Sequence, residues 1–248
     1  MPLTLPPPGR SALLLDIDGT LLDLAPTPDA VVVPDGLLDA LTRLRRHLGD
    51  ALAVITGRPL DQADALLANT PYAAAGEHGG AIRHAPGAEI ERAALPDLPE
   101  AWLEQAAAMV AAHPGSLLER KRRGVVLHYR LAPEAGPALR AAADAMIAPH
   151  AASFQVLEAS MAWEIRPRGI DKGVAVERLC ARAPFAGRLP IFIGDDVTDE
   201  DGIRVADAMG GAGLRVDHAF GTSAGVREWL RRSADRLDAG AEDWAPLR

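Results

Sequence analysis

The run Leu13-Leu14-Leu15-Asp16-Ile17-Asp18-Gly19-Thr20-Leu21 closes an apolar segment with two carboxylates, Asp16 and Asp18, spaced i, i+2. In extended chain that spacing puts both on one face. Two carboxylates so close are costly unless a cation lies between them. Gly19 lets the chain turn sharply and approach a ligand closely. The alternative is an aspartate-rich turn after a strand, and a second acidic run weighs against it. That run, Ile193-Gly194-Asp195-Asp196-Val197-Thr198-Asp199-Glu200-Asp201, also follows a short apolar segment. Carboxylate oxygens suit a hard cation such as magnesium. Glu200 and Asp201 read as the acidic start of a helix, which the dipole favours. Asp195 and Asp196 stand at the strand end and read as metal-site residues. Two further positions could hold phosphate. Thr56-Gly57-Arg58 ends another apolar segment, where the threonine hydroxyl and free backbone N–H groups can take phosphate oxygens. Lys172, in Ile170-Asp171-Lys172-Gly173, opens a helix. The dipole does not favour a cation there, so a compensating anion is expected; the alternative is a surface lysine.

Such residues need a frame that gathers strand ends. Short apolar runs at 12–17, 51–56, 72–75, 189–193 and 214–216 read as buried strands. Helical periodicity covers 37–48, 60–67, 172–180, 200–209 and 224–231, with Pro34 and Asp35 as start signals for the first and Pro59 in the first turn of the second. Buried strands alternating with helices imply parallel βαβ units in a doubly wound sheet. The strand end carrying Asp16 is then where open α/β sheets bind ligands. The middle differs: helices at 101–112 and 134–147, and strands at 117–119, 125–129, 154–157 and 162–165, several alternating polar with apolar. That pattern predicts antiparallel pairing with one wet face. The fold class is therefore α/β, with a smaller α+β domain inserted at 82–167 into a core of 1–81 and 168–248. Gly79-Gly80 and Pro167-Arg168-Gly169 supply the boundary signals.

Composition is that of an ordinary globular protein, 48% hydrophobic and 24% charged over 248 residues. A chain of this length buries enough surface to fold without disulfides, and its one cysteine, Cys180, reads as a buried thiol suited to a reducing compartment. The net charge of −8 argues against nucleic acid as partner. A small phosphorylated ligand stays open, because a cation and two or three local positive groups can hold one phosphate. The N-terminus does not read as a signal peptide, and no run approaches about 18 apolar residues. A cytoplasmic monomer with no membrane partner is expected. The stretch 210–213 precedes a strand, so it reads as a turn and not as a dinucleotide fingerprint.

Taken in order, the Asp16-Ile17-Asp18-Gly19-Thr20 run, Thr56-Gly57-Arg58, Lys172 and the Asp195–Asp199 run resemble the haloacid dehalogenase superfamily of phosphotransferases. The insert adds Glu119-Arg120-Lys121, His128-Tyr129-Arg130 and Trp163-Glu164-Ile165-Arg166-Pro167, preceded by Gly76-Glu77-His78-Gly79. These resemble the trehalose-6-phosphate phosphatase family, and the insert resembles the cap of its sugar-phosphatase branch. The resemblance implies hydrolysis of trehalose 6-phosphate as the last step of trehalose biosynthesis. It makes Asp16 the nucleophile that forms an aspartyl phosphate, and Asp18 the acid and then the base. Magnesium would lie against Asp16, the backbone carbonyl of Asp18, and Asp195, with Asp196 and Asp199 orienting its waters. Thr56, Gly57 and Lys172 would hold the phosphate. Arg58, His78, Glu119, Lys121, His128, Arg130 and Glu164 would meet the substrate, although the cap charges can also be read as strand-surface charge, and His128 and Arg130 as ordering the cap. The cap would close to exclude water. Alternatives are a sister phosphatase acting on sucrose phosphate or a glycosyl phosphoglycerate, a sugar phosphomutase, and a silent sugar-phosphate sensor. The intact Asp16, Asp18, Lys172 and Asp195 argue against the last.

Overall fold

In the computed structural model, residues 5–25, 31–68, 72–121, 123–159 and 161–247 are described. In chain order the elements begin with β1 (Ser11–Leu15), α1 (Leu37–His47), β2 (Leu52–Ile55), α2 (Leu60–Leu66), β3 (Ala73–Gly76), β4 (Ala81–Arg83) and β5 (Ile90–Arg92). They continue with α3 (Glu100–Ala111), β6 (Leu117–Arg120), β7 (Val125–His128), α4 (Gly136–Ile147), β8 (Phe154–Ala159) and β9 (Ala162–Pro167). The last part holds α5 (Lys172–Cys180), β10 (Leu189–Gly194), α6 (Glu200–Ala208), β11 (Ala212–Arg215), α7 (Val216–Ala219) and α8 (Ser223–Asp238). Contacts divide the chain into two units, Met1–Ala93 with Ile170–Arg248, and Ala94–Gly169.

The first unit holds a sheet in the order β11-β10-β1-β2-β3-β4-β5. Pairing is parallel from β11 to β3 and antiparallel beyond. Strands β1, β2 and β3 are buried along their whole length, which continuous runs of Leu, Ala, Val and Ile permit and alternating runs would not. From β1 the chain runs to β2 on one side, while β10 pairs on the other. The carboxyl end of β1 is thus a switch point, where the following loops part and leave a crevice. Cys180 is buried in this unit, and burial pushes its thiol up to about 11.

The second unit is a four-stranded sheet, β6-β7-β9-β8, antiparallel throughout. Its register sorts the side chains by face. Glu119 lies opposite Val126, and Val126 opposite Glu164, so these share one face with His128. Val125, Leu127, Phe154 and Ile165 lie on the other face and pack with Trp102 and Ala106 of α3 and Leu139 and Ala143 of α4. Polar–apolar alternation in the sequence is the trace of this one-sided covering.

Three readings of the sequence need adjusting. The insert was expected from residue 82, but Ala81–Arg83 and Ile90–Arg92 extend the first sheet, with Gly76 opposite Ala81 and Ala75 opposite Ile82. Gly79-Gly80 marks a tight return of the chain within that sheet, and the second unit begins at Ala94. The strand expected at 214–216 spans Ala212–Arg215, and Val216 already begins a helical turn. Helix α1 takes Gly36 (φ 79°) as its cap in place of the Pro34-Asp35 signal.

Gly202 tests how closely α6 lies on the sheet. Alanine favours a helix over glycine by about 1 kcal/mol. Here, however, a Cβ would lie 2.7 Å from the ring of Phe192, which is wholly buried in β10. Overpacking of this kind costs about 1–3 kcal/mol, so Gly202→Ala is expected to lower Tm by a few degrees. Thermal unfolding checks this, and Phe192→Leu in the same chain is expected to relieve the loss. An unchanged or raised Tm for Gly202→Ala would mean that propensity prevails and the contact is loose.

Candidate active site

Strand β1 ends by donating the Asp16 amide to the Ile193 carbonyl of β10 (3.0 Å), which leaves the Asp16 side chain buried at the switch point. The chain then turns tightly. Leu21 and Leu22 both donate to the Ile17 carbonyl (2.9 and 2.8 Å), and Gly19 takes φ +82°. A Cβ on Gly19 would lie 2.1 Å from Asp195 Oδ2, so only glycine lets the two acidic loops meet here. Thr20, wholly buried, donates its hydroxyl to Asp195 Oδ1 at 3.3 Å.

Helix α5 delivers Lys172. Its cap, Asp171, accepts from the Val174 amide at 2.8 Å and fixes the first turn. The buried Lys172 Nζ donates to Asp16 Oδ1 at 2.7 Å and to Asp199 Oδ1 at 2.6 Å. These carboxylates are the anions that a lysine at a helix start requires. The other oxygen of Asp199 accepts from the amides of Asp195 (3.1 Å) and Asp196 (3.0 Å). Asp196 is exposed and caps the turn through the Val197 amide at 2.7 Å. Asp199 is thus a buried anchor between the lysine and the loop.

Carboxylate oxygens of Asp16, Asp195 and Asp199 lie within 4.8 Å of one another. Three carboxylates face one ammonium, and the imbalance shows in the acidity of Asp16 and Asp195. Burial, with Asp199 and Asp195 adding to it against Lys172, pushes Asp16 up to about 8. Burial, Asp199 and Asp196 push Asp195 up to about 6. Burial opposes the charge of Lys172, but Asp16 and Asp199 hold it above the ordinary lysine range. The donor set fits a hard cation, because it is all oxygen and carries more negative charge than the lysine offsets. Both oxygens of Asp199 are engaged by Lys172 and the loop amides, so Asp16 and Asp195 are the side chains best placed to receive a metal.

Asp18 stands apart from this cluster. Arg58 forks onto it, Nε to Oδ2 and Nη2 to Oδ1, both at 2.6 Å. The Arg58 backbone is itself fixed: its amide donates to Thr56 Oγ1 at 3.1 Å and its carbonyl accepts from the Glu77 amide at 3.0 Å. The His78 amide donates to the Thr56 carbonyl at 3.0 Å, and the His78 ring packs so closely on Gly57 that a Cβ there would lie 2.8 Å from it. Glu77 and His78 take φ of 54° and 55°, strained values for non-glycine residues. Thr56, Gly57, Arg58 and His78 therefore form one packed turn.

Four of the insert's candidate substrate residues pair with one another. Lys121 donates to the buried Glu164 at 3.0 Å, and His128 Nε2 meets Glu119 Oε2 at 2.9 Å. The His128 contact helps to lower the Glu119 carboxyl below its usual range. Arg130 is exposed just beyond β7. Sequence reasoning missed two residues that hold the site: Thr20, and Arg215, which donates to the Asp195 carbonyl. Thr20 stood inside a quoted motif, but nothing in the sequence marks Arg215.

The family model for trehalose-phosphatase matches residues 14–228, a span that contains all of the positions above. The chain belongs to the trehalose-phosphatase family. Members are phosphomonoester hydrolases. A Sinorhizobium fredii (strain NBRC 101917 / NGR234) protein named "Probable trehalose-phosphate phosphatase" is 42% identical over 205 residues, covering 83% of this chain and 77% of that one. The trehalose-6-phosphate phosphatase of Escherichia coli (strain K12) is 37% identical over 226 residues, covering 89% and 81%. In fold, the chain is similar to the crystal structure of a trehalose-6-phosphate phosphatase related protein (TM-score 0.70, 21% identity, 92% and 99% coverage). It is also similar to a haloacid dehalogenase-like hydrolase from Bacteroides thetaiotaomicron (TM-score 0.58, 16% identity, 90% and 98% coverage). The α/β core read from the sequence is therefore a fold that both of these structures share. Among the described residues no helix is long and apolar enough to cross a membrane.

If Lys172 neutralises the cluster, removing it is costly. Lys172→Met leaves two buried carboxylates facing each other with no counter-ion, a change of about 3–5 kcal/mol. In chelator, the variant's Tm is expected to fall by on the order of 10 °C, as read by thermal unfolding. A Tm near that of the parent would mean that the lysine is dispensable to the folded state.

Proposed function

We propose that this chain hydrolyses trehalose 6-phosphate to trehalose and phosphate, using magnesium and an aspartyl phosphate on Asp16. The supporting observation is the buried Asp16 carboxylate at the end of β1, with Lys172 Nζ 2.7 Å away and Asp195 beside it, in a chain of the trehalose-phosphatase family.

On this reading an Asp16 oxygen attacks phosphorus while the bond to the sugar oxygen breaks. Lys172, Thr56 and the Gly57 amide take the phosphoryl oxygens, where charge lies in the transition state. Asp18 gives its proton to the departing sugar oxygen. It then takes a proton from the water that hydrolyses the aspartyl phosphate, so the enzyme returns to its starting state. Arg58 keeps the Asp18 carboxyl group aimed, and His78 holds the turn that carries Thr56 and Gly57. Asp16, the backbone carbonyl of Asp18, and Asp195 would hold magnesium, which would offset the charge of phosphate and carboxylates. Asp199 and Asp196 hold the loop that presents Asp195. In the insert, Glu119, Lys121 and Glu164 take the sugar hydroxyls, carboxylates accepting and the ammonium donating, while His128 and Arg130 order them.

Free phosphate measured over a panel of sugar phosphates tests the reading. Trehalose 6-phosphate is expected to be the best substrate, activity to vanish in chelator and magnesium to restore it. Preference for another sugar phosphate would refute the substrate, and activity indifferent to chelator would refute the metal. Asp16→Asn removes one carboxylate of the three in the cluster at constant volume. It is expected to fold with an equal or higher Tm and to lose more than a hundredfold in rate, roughly 2.7 kcal/mol as a lower bound. A variant keeping more than that would exclude Asp16 as nucleophile.

Specificity is tested by Glu164→Gln, which keeps the volume next to Lys121 but removes the charge. Losing a charged hydrogen bond of about 1.5–3 kcal/mol is expected to lower kcat/KM for trehalose 6-phosphate by about tenfold to a hundredfold. The small ester p-nitrophenyl phosphate offers no sugar hydroxyls and is expected to be nearly unaffected. Equal loss on both substrates would make Glu164 a structural residue.

A further inference from the structure

Asp195 is held by its backbone at both ends. Its amide donates to Asp199 Oδ2 at 3.1 Å, an anchor within its own loop. Its carbonyl accepts from Arg215 Nη2 at 2.9 Å, an anchor that crosses from the neighbouring strand. Arg215 is the last residue of β11 and stands opposite Gly194 in the parallel register. Its remaining donors are engaged as well: Nη1 pairs with Glu200 at the start of α6, and Nε donates to Asp217 Oδ1 at 3.1 Å in α7. One planar guanidinium thus ties the metal loop, the helix after it and the next strand into a single frame.

We infer that Arg215 is a positioning residue for the cation: by fixing the Asp195 peptide, it presets the Asp195 carboxylate beside Asp16. The inference rests on the magnesium reading above. Its physical basis is preorganisation. A carboxylate held in place before the cation arrives loses less freedom on binding, and groups that orient metal ligands weigh about 10–100-fold in metal affinity. The pairs that Arg215 makes with Glu200 and Asp217 involve half-exposed carboxylates, and pairs of that kind contribute little to folding. The function of the arginine is therefore expected to appear in cation affinity more than in stability. Lysine does not substitute, because a single ammonium cannot span the carbonyl and both carboxylates in one plane.

The test uses the full chain, stripped of metal by chelation and free of substrate. Magnesium is titrated by calorimetry and by the Tm it induces. Arg215→Ala is expected to bind magnesium about tenfold or more weakly than the parent, with a metal-free Tm within a few degrees of it. The magnesium concentration giving half-maximal phosphate release is expected to rise by the same factor. Asp217→Asn keeps the carbonyl bond and is expected to shift affinity by no more than about twofold to threefold, well short of the alanine variant. Parental magnesium affinity in Arg215→Ala overturns the inference, as does an equal loss in Asp217→Asn. Should Arg215→Ala fail to fold, Arg215→Lys decides in the same way: parental affinity overturns the inference and weakened affinity upholds it. A parent chain that binds no magnesium refutes the metal reading itself, and that outcome is distinct from a parent that binds and a variant that binds equally.

Discussion

The ammonium of Lys172 lies between Asp16 and Asp199, 2.7 and 2.6 Å from their oxygens, and all three side chains are buried. A charge buried this way is tolerable only if it is paired and hydrogen-bonded. The pairing fixes three elements against one another. Asp16 must end β1, Lys172 must open α5 and Asp199 must follow β10 within a turn. The parallel pairing of β1 with β10 supplies that arrangement, and the switch point beside β2 leaves the crevice open for a ligand. Charge does not balance, however. With Asp195 included, three carboxylates answer one lysine, and the raised pKa values of Asp16 and Asp195 express the excess. A structure that keeps such an excess is built to receive a cation or a proton.

Close approach is what makes the cluster specific, and glycines permit it. Gly19 admits the Asp195 carboxylate, and Gly194 lies so near Asp199 that a Cβ would fall 2.3 Å from its carboxyl carbon. The loop of Asp195 and Asp196 could not be moved outward without unpairing an amide from Asp199. Across the crevice the same economy recurs in the turn of Thr56, Gly57 and Arg58, where the histidine ring of a left-handed residue fills the space above a glycine. The strain at Glu77 and His78 is held in place by backbone bonds to Arg58 and Thr56.

Much of this was legible in the sequence because charge and hydrophobicity are local signals. Apolar runs ending in Asp16, Thr56 and Asp195 disclosed strand ends, and alternation in the insert disclosed a sheet covered on one side. Lys172 at a helix start called for an anion, and the structure provides two. What stayed hidden depends on pairing across distance. The β4–β5 extension consists of three-residue strands whose place is decided by register with β3, which no periodicity reveals. Gly79-Gly80 gave a correct signal of a turn but not of what the turn joined. Arg215 carries no local mark at all, since its partner Asp195 lies on the neighbouring strand's loop. The same holds for the fork of Arg58 on Asp18, which links residues 40 positions apart.

The two units also divide the physical demands of the proposed reaction. The core's charged groups described above are engaged with one another or with the backbone, and ions of that kind discriminate poorly between sugars. Hydroxyl recognition needs donors and acceptors held at fixed spacing. On the proposed reading the insert supplies them as Lys121 with Glu164 and His128 with Glu119, carried by a sheet whose other face packs on α3 and α4. Strand register sets the spacing of such groups more rigidly than a loop could, because a slip of one residue would turn every one of them to the apolar side. The face that reads hydroxyls is therefore kept in register by the same hydrophobic packing that folds the insert. On the proposed reading, single substitutions at Glu119, Lys121 or Glu164 change selectivity and leave the charge cluster around Lys172 intact.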